Sequence, residues 1–134
     1  MRYDGAVNPP PFGAVMQVEA LRDLVVRTLD DMKAIDLTVI DVRGKTSITD
    51  FFVLASGTSD RHVKAMAETV MYEAKEHGER PLGAEGVNEG EWALVDLNGV
   101  VVHLMLPKVR DYYQLEKLWQ HDVPKAEQLT KHRV

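Results

Sequence analysis

The chain contains no cysteine, which excludes disulfide staples and every thiolate-held metal or cluster. Long apolar runs are missing as well. None reaches the roughly 18 residues of a membrane span, and the N-terminus lacks a signal-peptide pattern. A cytoplasmic protein is the expectation. There is no basic surplus: 16 Lys and Arg stand against 21 Asp and Glu, a net charge of −5, and the excess of acids lies in the body between the two termini. Nucleic-acid binding runs on Lys and Arg contacts to phosphate, so direct wrapping of DNA or RNA is disfavoured. A soluble surface or a basic protein partner suits this balance. The five histidines (His62, His77, His103, His121 and His132) share no metal-ligand spacing. The strands offer only single acids, Asp41 and Asp96, where two-magnesium nucleotidyl transfer needs paired carboxylates. Glu89-Gly90-Glu91 has the spacing, but on a loop expected to be too flexible to position a metal. No cofactor is expected.

At 134 residues the chain is sized for one domain with a real core. Residues 1–15, "MRYDGAVNPPPFGAV", hold a triple proline and no period, and read as a flexible proline-rich extension. Residues 16–120 form the expected domain. Residues 121–134 show no clear face and are expected to fray. Within the domain, Val18, Leu21, Val25, Leu29 and Met32 recur at helical spacing and predict an amphipathic helix ending near Lys33 to Asp36. "LTVIDV" (37–42) is short and β-branched, so it predicts a strand. "FFVLAS" (51–56) is apolar at nearly every position, the mark of a strand buried on both faces. Val63, Met66 or Ala67, Val70, Met71 and Ala74 predict a second helix, stopped by Gly78. An acidic loop, 79–91, follows, with a short strand near Pro81 and Leu82. "PKVRDYYQLEKLW" opens a last helix on Pro107, with Val109, Tyr112, Tyr113, Leu115, Leu118 and Trp119 as its apolar side. Alternating helices and strands imply an α/β fold with a mixed sheet of four to five strands flanked by helices.

"WALVDLNGVVVHLML" predicts a hairpin about Asn98-Gly99 with a type I′ turn. Its register can be written down. Leu97, Val95 and Ala93 oppose Val100, Val102 and Leu104 on an all-apolar core face. The other face pairs Trp92 with Met105, Leu94 with His103 and Asp96 with Val101. Two readings of that face stand side by side: a helix covers it and Trp92 is ordinary core, or it meets a partner. In the second, Trp92 is the anchor, Leu94, Asp96, His103 and Met105 are neighbours, and Glu85, Glu89 and Glu91 form an acidic rim.

Three chemical motifs need weighing. "SGTSDRH" (56–62) joins a strand to a helix N-terminus, where free N–H groups and the macrodipole favour anions. Thr58, Ser59 and Asp60 are also preferred capping residues, and capping alone explains the turn. Gly44-Lys45-Thr46 is a fragment of a P-loop, but the motif's first glycine would fall at Val39, so a turn with a solvated lysine is expected. A triad of Ser56 or Ser59 with His62 and Asp50 lacks a nucleophile elbow. The residues lean away from catalysis.

The stretches "DVRGKTSITDFFVLASGTSDRHVKAMAE", "RPLGAEG" and "EWALVDLNGVVVHLMLPKVRDYYQLEKLW" together resemble the ribosomal silencing factor family, RsfS or Iojap, over about Met16 to Trp119. The resemblance implies a fold similar to the nucleotidyltransferases without their catalytic acids, and no enzymatic activity. It implies binding to the fourteenth protein of the large ribosomal subunit on the intersubunit face, a block on joining of the small subunit, translational repression, and a homodimer when free. The competing expectation is a small nucleotide-binding protein or transferase on the similar fold.

Overall fold

A computed structural model describes residues 17–113. The expectations for residues 1–15, for the end of the last helix and for the tail 121–134 lie outside the described residues. The elements in chain order are α1 (Val18–Asp31), β1 (Ile35–Asp41), β2 (Phe51–Ser56), α2 (Asp60–Glu76), β3 (Gly83–Glu85), β4 (Trp92–Asp96), β5 (Val100–Met105) and α3 (Pro107–Tyr113). The strands form one sheet in the order β1-β2-β5-β4-β3. β2 and β5 run parallel at its centre; the other neighbours are antiparallel. The mixed α/β class expected from the alternation of elements is what the chain adopts.

β2 and β5 are buried at every position, which explains why both are apolar almost throughout: each has a covered face on either side. On one face α1 and α2 pack with Leu21, Val25, Leu29, Val63, Met66 and Val70 against Phe51, Val53, Val95 and Val102. On the other, Ile40, Phe52, Leu54, Val101 and Met105 form a second cluster, with Trp92, Leu94 and Val109 of α3 packed on it.

Both long helices end in a Schellman motif. After α2, Gly78 has φ 90°, and Glu79 and Gly78 donate to the carbonyls of Ala74 and Lys75 at 2.8 and 3.0 Å. After α1 the same pair of bonds runs from Ala34 and Lys33 to Leu29 and Asp30, each 3.0 Å. There the left-handed position is Lys33, φ 64°. The helix therefore ends at Asp31, two residues before the range expected from periodicity.

Other details also depart from the sequence reading. β1 begins at Ile35 and not at Leu37, because a bulge between Ile35 and Thr38 lets pairing resume upstream. The short strand expected near Pro81 and Leu82 is β3, Gly83–Glu85; Leu82 N–H already donates to the Asp96 carbonyl at 2.7 Å, while Pro81 has no N–H for a ladder. The hairpin turn is not type I′, which needs positive φ at both central residues. Only Asn98 has it, φ 75°, and Gly99 N–H donates back to the Leu97 carbonyl at 3.0 Å, a γ-turn. The Gly99 carbonyl explains the choice: it accepts from Asp50 and Phe51 at 3.1 Å, so the turn is shaped by the start of β2.

Candidate functional site

The strand-to-helix turn comes first. Ser59 is the N-cap, with extended backbone, and its hydroxyl accepts from His62 N–H at 3.1 Å. Thr58 N–H donates to Nδ1 of His62 at 2.9 Å, Arg61 N–H to the Asp60 carboxylate at 2.7 Å, and Val63 N–H to the Ser59 carbonyl at 3.0 Å. The amides of Thr58, Arg61, His62 and Val63 are thus engaged within the chain, and the Asp60 carboxylate stands among them. Gly57 completes a packing corner: a Cβ there would meet Val63 Cγ2 at 2.9 Å and Met66 Cε at 3.0 Å. His62 cannot serve a serine as base. Nδ1 accepts from Thr58, so Nε2 carries the hydrogen and donates to the Met32 carbonyl at 2.8 Å. This ring bolts the end of α1 to the start of α2. Gly44-Lys45-Thr46 forms a plain turn, with Lys45 N–H on the Val42 carbonyl at 2.9 Å.

On the hairpin the observed register is the expected one, pairing Trp92 with Met105, Leu94 with His103 and Asp96 with Val101. The neighbouring ladders extend it into a row across all five strands: Glu85, Leu94, His103, Leu54 and Thr38 stand side by side on the face away from α1 and α2. Exposure falls from β3 to the centre of that row and rises again at half-buried Thr38. Glu85 is exposed and Leu94 half-buried, whereas His103 and Leu54 are 1% and 2% accessible. Trp92 and Asp96 are half-buried like Leu94, and Met105 is fully covered.

The residues expected to meet a partner therefore divide. Glu85, Trp92, Leu94 and Asp96 reach the surface at the β3–β4 side. His103 and Met105 sit one strand inward, where they cannot touch a partner as the structure stands. This corrects the expectation for those two, and the reason is packing: the second apolar cluster closes over β5. The core reading thus holds at β5, while β4 reaches the surface.

The buried pair supports the surface one. Trp92 Nε1–H donates to Nδ1 of His103 at 3.3 Å, and the two ring centroids lie 6.3 Å apart, tilted by 45°. His103 in turn rests against Phe52, 5.5 Å between centroids. Aromatic pairs in such tilted geometries are favourable beyond area burial. The indole is held from below while its outer side stays accessible.

The acidic loop is more firmly built than its composition suggested. Gly86 and Gly90 take left-handed φ of 73° and 74°, and Gly90 N–H donates to the Gly86 carbonyl at 3.1 Å. A Cβ on Gly86 would run into the Trp92 carbonyl, and one on Gly90 into the Asp60 carbonyl. Val87 packs on the main core. Glu85, Glu89 and Glu91 remain exposed around this loop. Among the described residues no group of three or more acids, histidines or cysteines could hold a metal ion, and no helix is long and apolar enough to cross a membrane.

Sequence reasoning missed Arg110. Only 6% accessible, it donates to the Asp36 carbonyl at 2.6 Å and to Thr38 Oγ1 at 2.9 Å. It ties α3 to the bulge of β1, where Asp36 has φ 52°. Its partners lie more than seventy residues away, beyond any local pattern.

Comparison with known proteins places this geometry. The family RsfS, described as ribosomal silencing factor during starvation, matches residues 15–133, including most of the tail. The ribosomal silencing factor RsfS of Haemophilus influenzae is 46% identical over 100 residues, covering 75% of this chain and 98% of its own. The mouse protein named mitochondrial assembly of ribosomal large subunit protein 1 is 41% identical over 122 residues, covering 87% of this chain and 52% of its own. A crystal structure of a Chromobacterium violaceum protein superposes with a TM-score of 0.77 at 42% identity, covering 81% of this chain and 91% of that one. These likenesses assign a ribosome-associated role in silencing translation. The chain belongs to the ribosomal silencing factor family.

Proposed function

We propose that the protein represses translation by binding the large ribosomal subunit through that subunit's fourteenth protein and sterically blocking joining of the small subunit. The observation that carries the reading is the β3–β4 surface. Trp92, propped from beneath by His103, stands on one strand with half-buried Leu94 and Asp96; exposed Glu85 pairs with Leu94 from β3, and Glu89 and Glu91 are exposed on the loop leading into β4. A central aromatic with apolar neighbours and a carboxylate rim complements a basic protein surface with an apolar centre. The mouse relative's name, which speaks of the large subunit, supports the choice of subunit. No bond need be made or broken: a domain of about 105 residues has a radius of gyration near roughly 13 Å, bulk enough to occupy an intersubunit surface. The site of action is the cytoplasm.

Gradient sedimentation of purified subunits tests this. The protein should co-migrate with large subunits and reduce their association with small ones; co-migration with undiminished association removes the mechanism. A pull-down with the isolated fourteenth protein tests the partner. A nucleotide-binding or transferase role is disfavoured by the capped start of α2, where the Asp60 carboxylate stands among the first amides, and titration with nucleotides and magnesium should be silent. When free, the protein forms a weak homodimer, in keeping with exposed Ile48, Tyr72 and Leu82, accessible at 52%, 59% and 66%. Light scattering that finds a monomer at high concentration removes that part.

A further inference from the structure

The opposite edge of the sheet carries a second surface. β1 pairs only with β2 among the described strands. The bond from Val42 N–H to the Asp50 carbonyl, 3.0 Å, sets the phase of the ladder. Hydrogen-bonded pairs alternate along an antiparallel ladder, so Ile40 and Thr38, opposite Phe52 and Leu54, direct their backbone groups to β2. Val39 and Asp41 direct theirs outward. Val39 also leaves 40% of its surface exposed. Its side chain falls on the helix side of the sheet, where α1 and β1 enclose a groove of about 390 Å³ lined by Asp23, Val26, Arg27, Asp30 and Leu37. An open strand edge beside a groove with an apolar floor is what strand addition uses: main-chain bonds supply affinity and the groove supplies selectivity.

The rim chooses the occupant. Asp23 is paired with Arg22 at 2.9 Å and Arg27 lies 3.8 Å from Asp31. Asp30, in the groove, and Asp36, in the bulge, have no ion-pair partner among the described residues. These carboxylates favour a cation. They also disfavour a second copy, since two antiparallel β1 strands would bring their Asp36 and Asp41 ends together, and the bulge interrupts a long pairing. Charges and bulges of this kind are how edges avoid pairing with themselves. We propose that the outer edge of β1 and its groove dock an extended, Lys- or Arg-bearing segment of a partner protein, which adds a sixth strand to the sheet. Three strand positions, about 14 Å, separate this edge from β4, so both surfaces can be occupied at once. The proposal does not depend on what Trp92 binds.

Amide NMR on the full chain tests it, with a ten-residue peptide alternating Lys and Val as probe and the same peptide carrying Glu for Lys as control. The Lys peptide should shift signals at Val26 and from Leu37 to Asp41, and slow hydrogen exchange at Val39. The Glu peptide should bind at least tenfold more weakly. Asp30→Lys, at an exposed helical position, should weaken the Lys peptide at least threefold. Val39→Pro removes an outward donor and no bond to β2, and should abolish binding; if it disturbs the fold, Asp30→Lys still decides. Equal binding of both peptides, shifts confined to another surface, or self-association through β1 without peptide binding overturns the proposal.

Discussion

The indole N–H of Trp92 on β4 donates to Nδ1 of His103 on β5, 3.3 Å away, so a fully covered histidine orients a half-exposed tryptophan. The pair separates two effects that a single alanine substitution would mix. Trp92→Ala should weaken large-subunit binding by on the order of 2 kcal/mol, roughly thirtyfold, as expected of an aromatic hot spot. Because the ring is only half-buried, the loss of stability should stay below the ~3–5 kcal/mol of a buried aromatic. His103→Phe keeps a ring of similar size and removes the acceptor. It should leave the melting curve nearly unchanged, shift the indole N–H resonance, and weaken binding less than Trp92→Ala does. A Trp92→Ala protein that melts normally and still binds at full strength removes this surface from the site.

The left-handed residue that ends α1 gives a second test. Lys33 at φ 64° occupies the place that glycine takes after α2. A side chain in that region costs about 1–2 kcal/mol, and the greater freedom of glycine in the unfolded chain offsets roughly half to 1 kcal/mol of the relief. Lys33→Gly should therefore raise stability by about 0.5–1 kcal/mol, read as a higher denaturant midpoint at unchanged slope. A lower midpoint would mean that the Lys33 side chain makes a contact worth more than the strain.

The same residue shows where sequence reading stops. Elements governed by period were legible: β2 and β5 because burial on both faces demands apolar side chains throughout, and the hairpin register because a slip of one residue would turn Val95, Val102 and Leu104 outward. Left-handed positions are legible only when glycine marks them, as Gly78 does. Lys33 and Asp36 carry no such mark, and the bulge at Asp36 hid the first residues of β1. Within the candidate site, face and neighbours could be read from alternation, but depth could not. Whether His103 and Met105 are surface or core depends on what closes over β5. Arg110, meanwhile, finds partners 72 and 74 positions away, and no window along the chain contains both ends.

At the start of the β1–β2 loop, Arg43 holds the Asp41 carboxyl down to about 2 from its usual 3.8, first through its side-chain hydrogen bonds and then through its backbone N–H. The two side chains meet at 2.7 Å, and Arg43 also reaches Glu19 at 2.9 Å. With the folded value depressed, the pair's contribution is fully present above the unfolded carboxyl's pKa and is lost as pH falls through about 2. Arg43→Ala removes the larger cause, so the Asp41 midpoint should rise toward the ordinary carboxylate range in a carboxyl-carbon NMR titration. The pair is exposed and screened, so neutral-pH stability should change little. An unmoved Asp41 midpoint would show that the backbone N–H alone sets it.

The last prediction reaches Trp92 without touching it. Gly86 lies against the Trp92 carbonyl with φ 73°, a conformation that L side chains rarely adopt and a spacing that leaves no room for a Cβ. Gly86→Ala must either push β4 away from the loop or release the loop from β4. Both outcomes move the indole relative to the Glu85–Glu91 rim while leaving every rim carboxylate in the chain. If binding depends on the joint placement of aromatic and acids, Gly86→Ala should lose large-subunit binding by tenfold or more at a modest cost in stability, on the order of 1–3 kcal/mol for local strain. Charge reversal at exposed Glu89 should act differently: acids at a rim mainly set association rate and salt dependence, so Glu89→Lys should slow binding at low salt and converge on the unaltered protein at high salt. Surface plasmon resonance of the two variants at two salt concentrations separates placement from charge. A Gly86→Ala protein with unaltered dissociation and a folded β4 would leave the acidic loop no part in positioning Trp92.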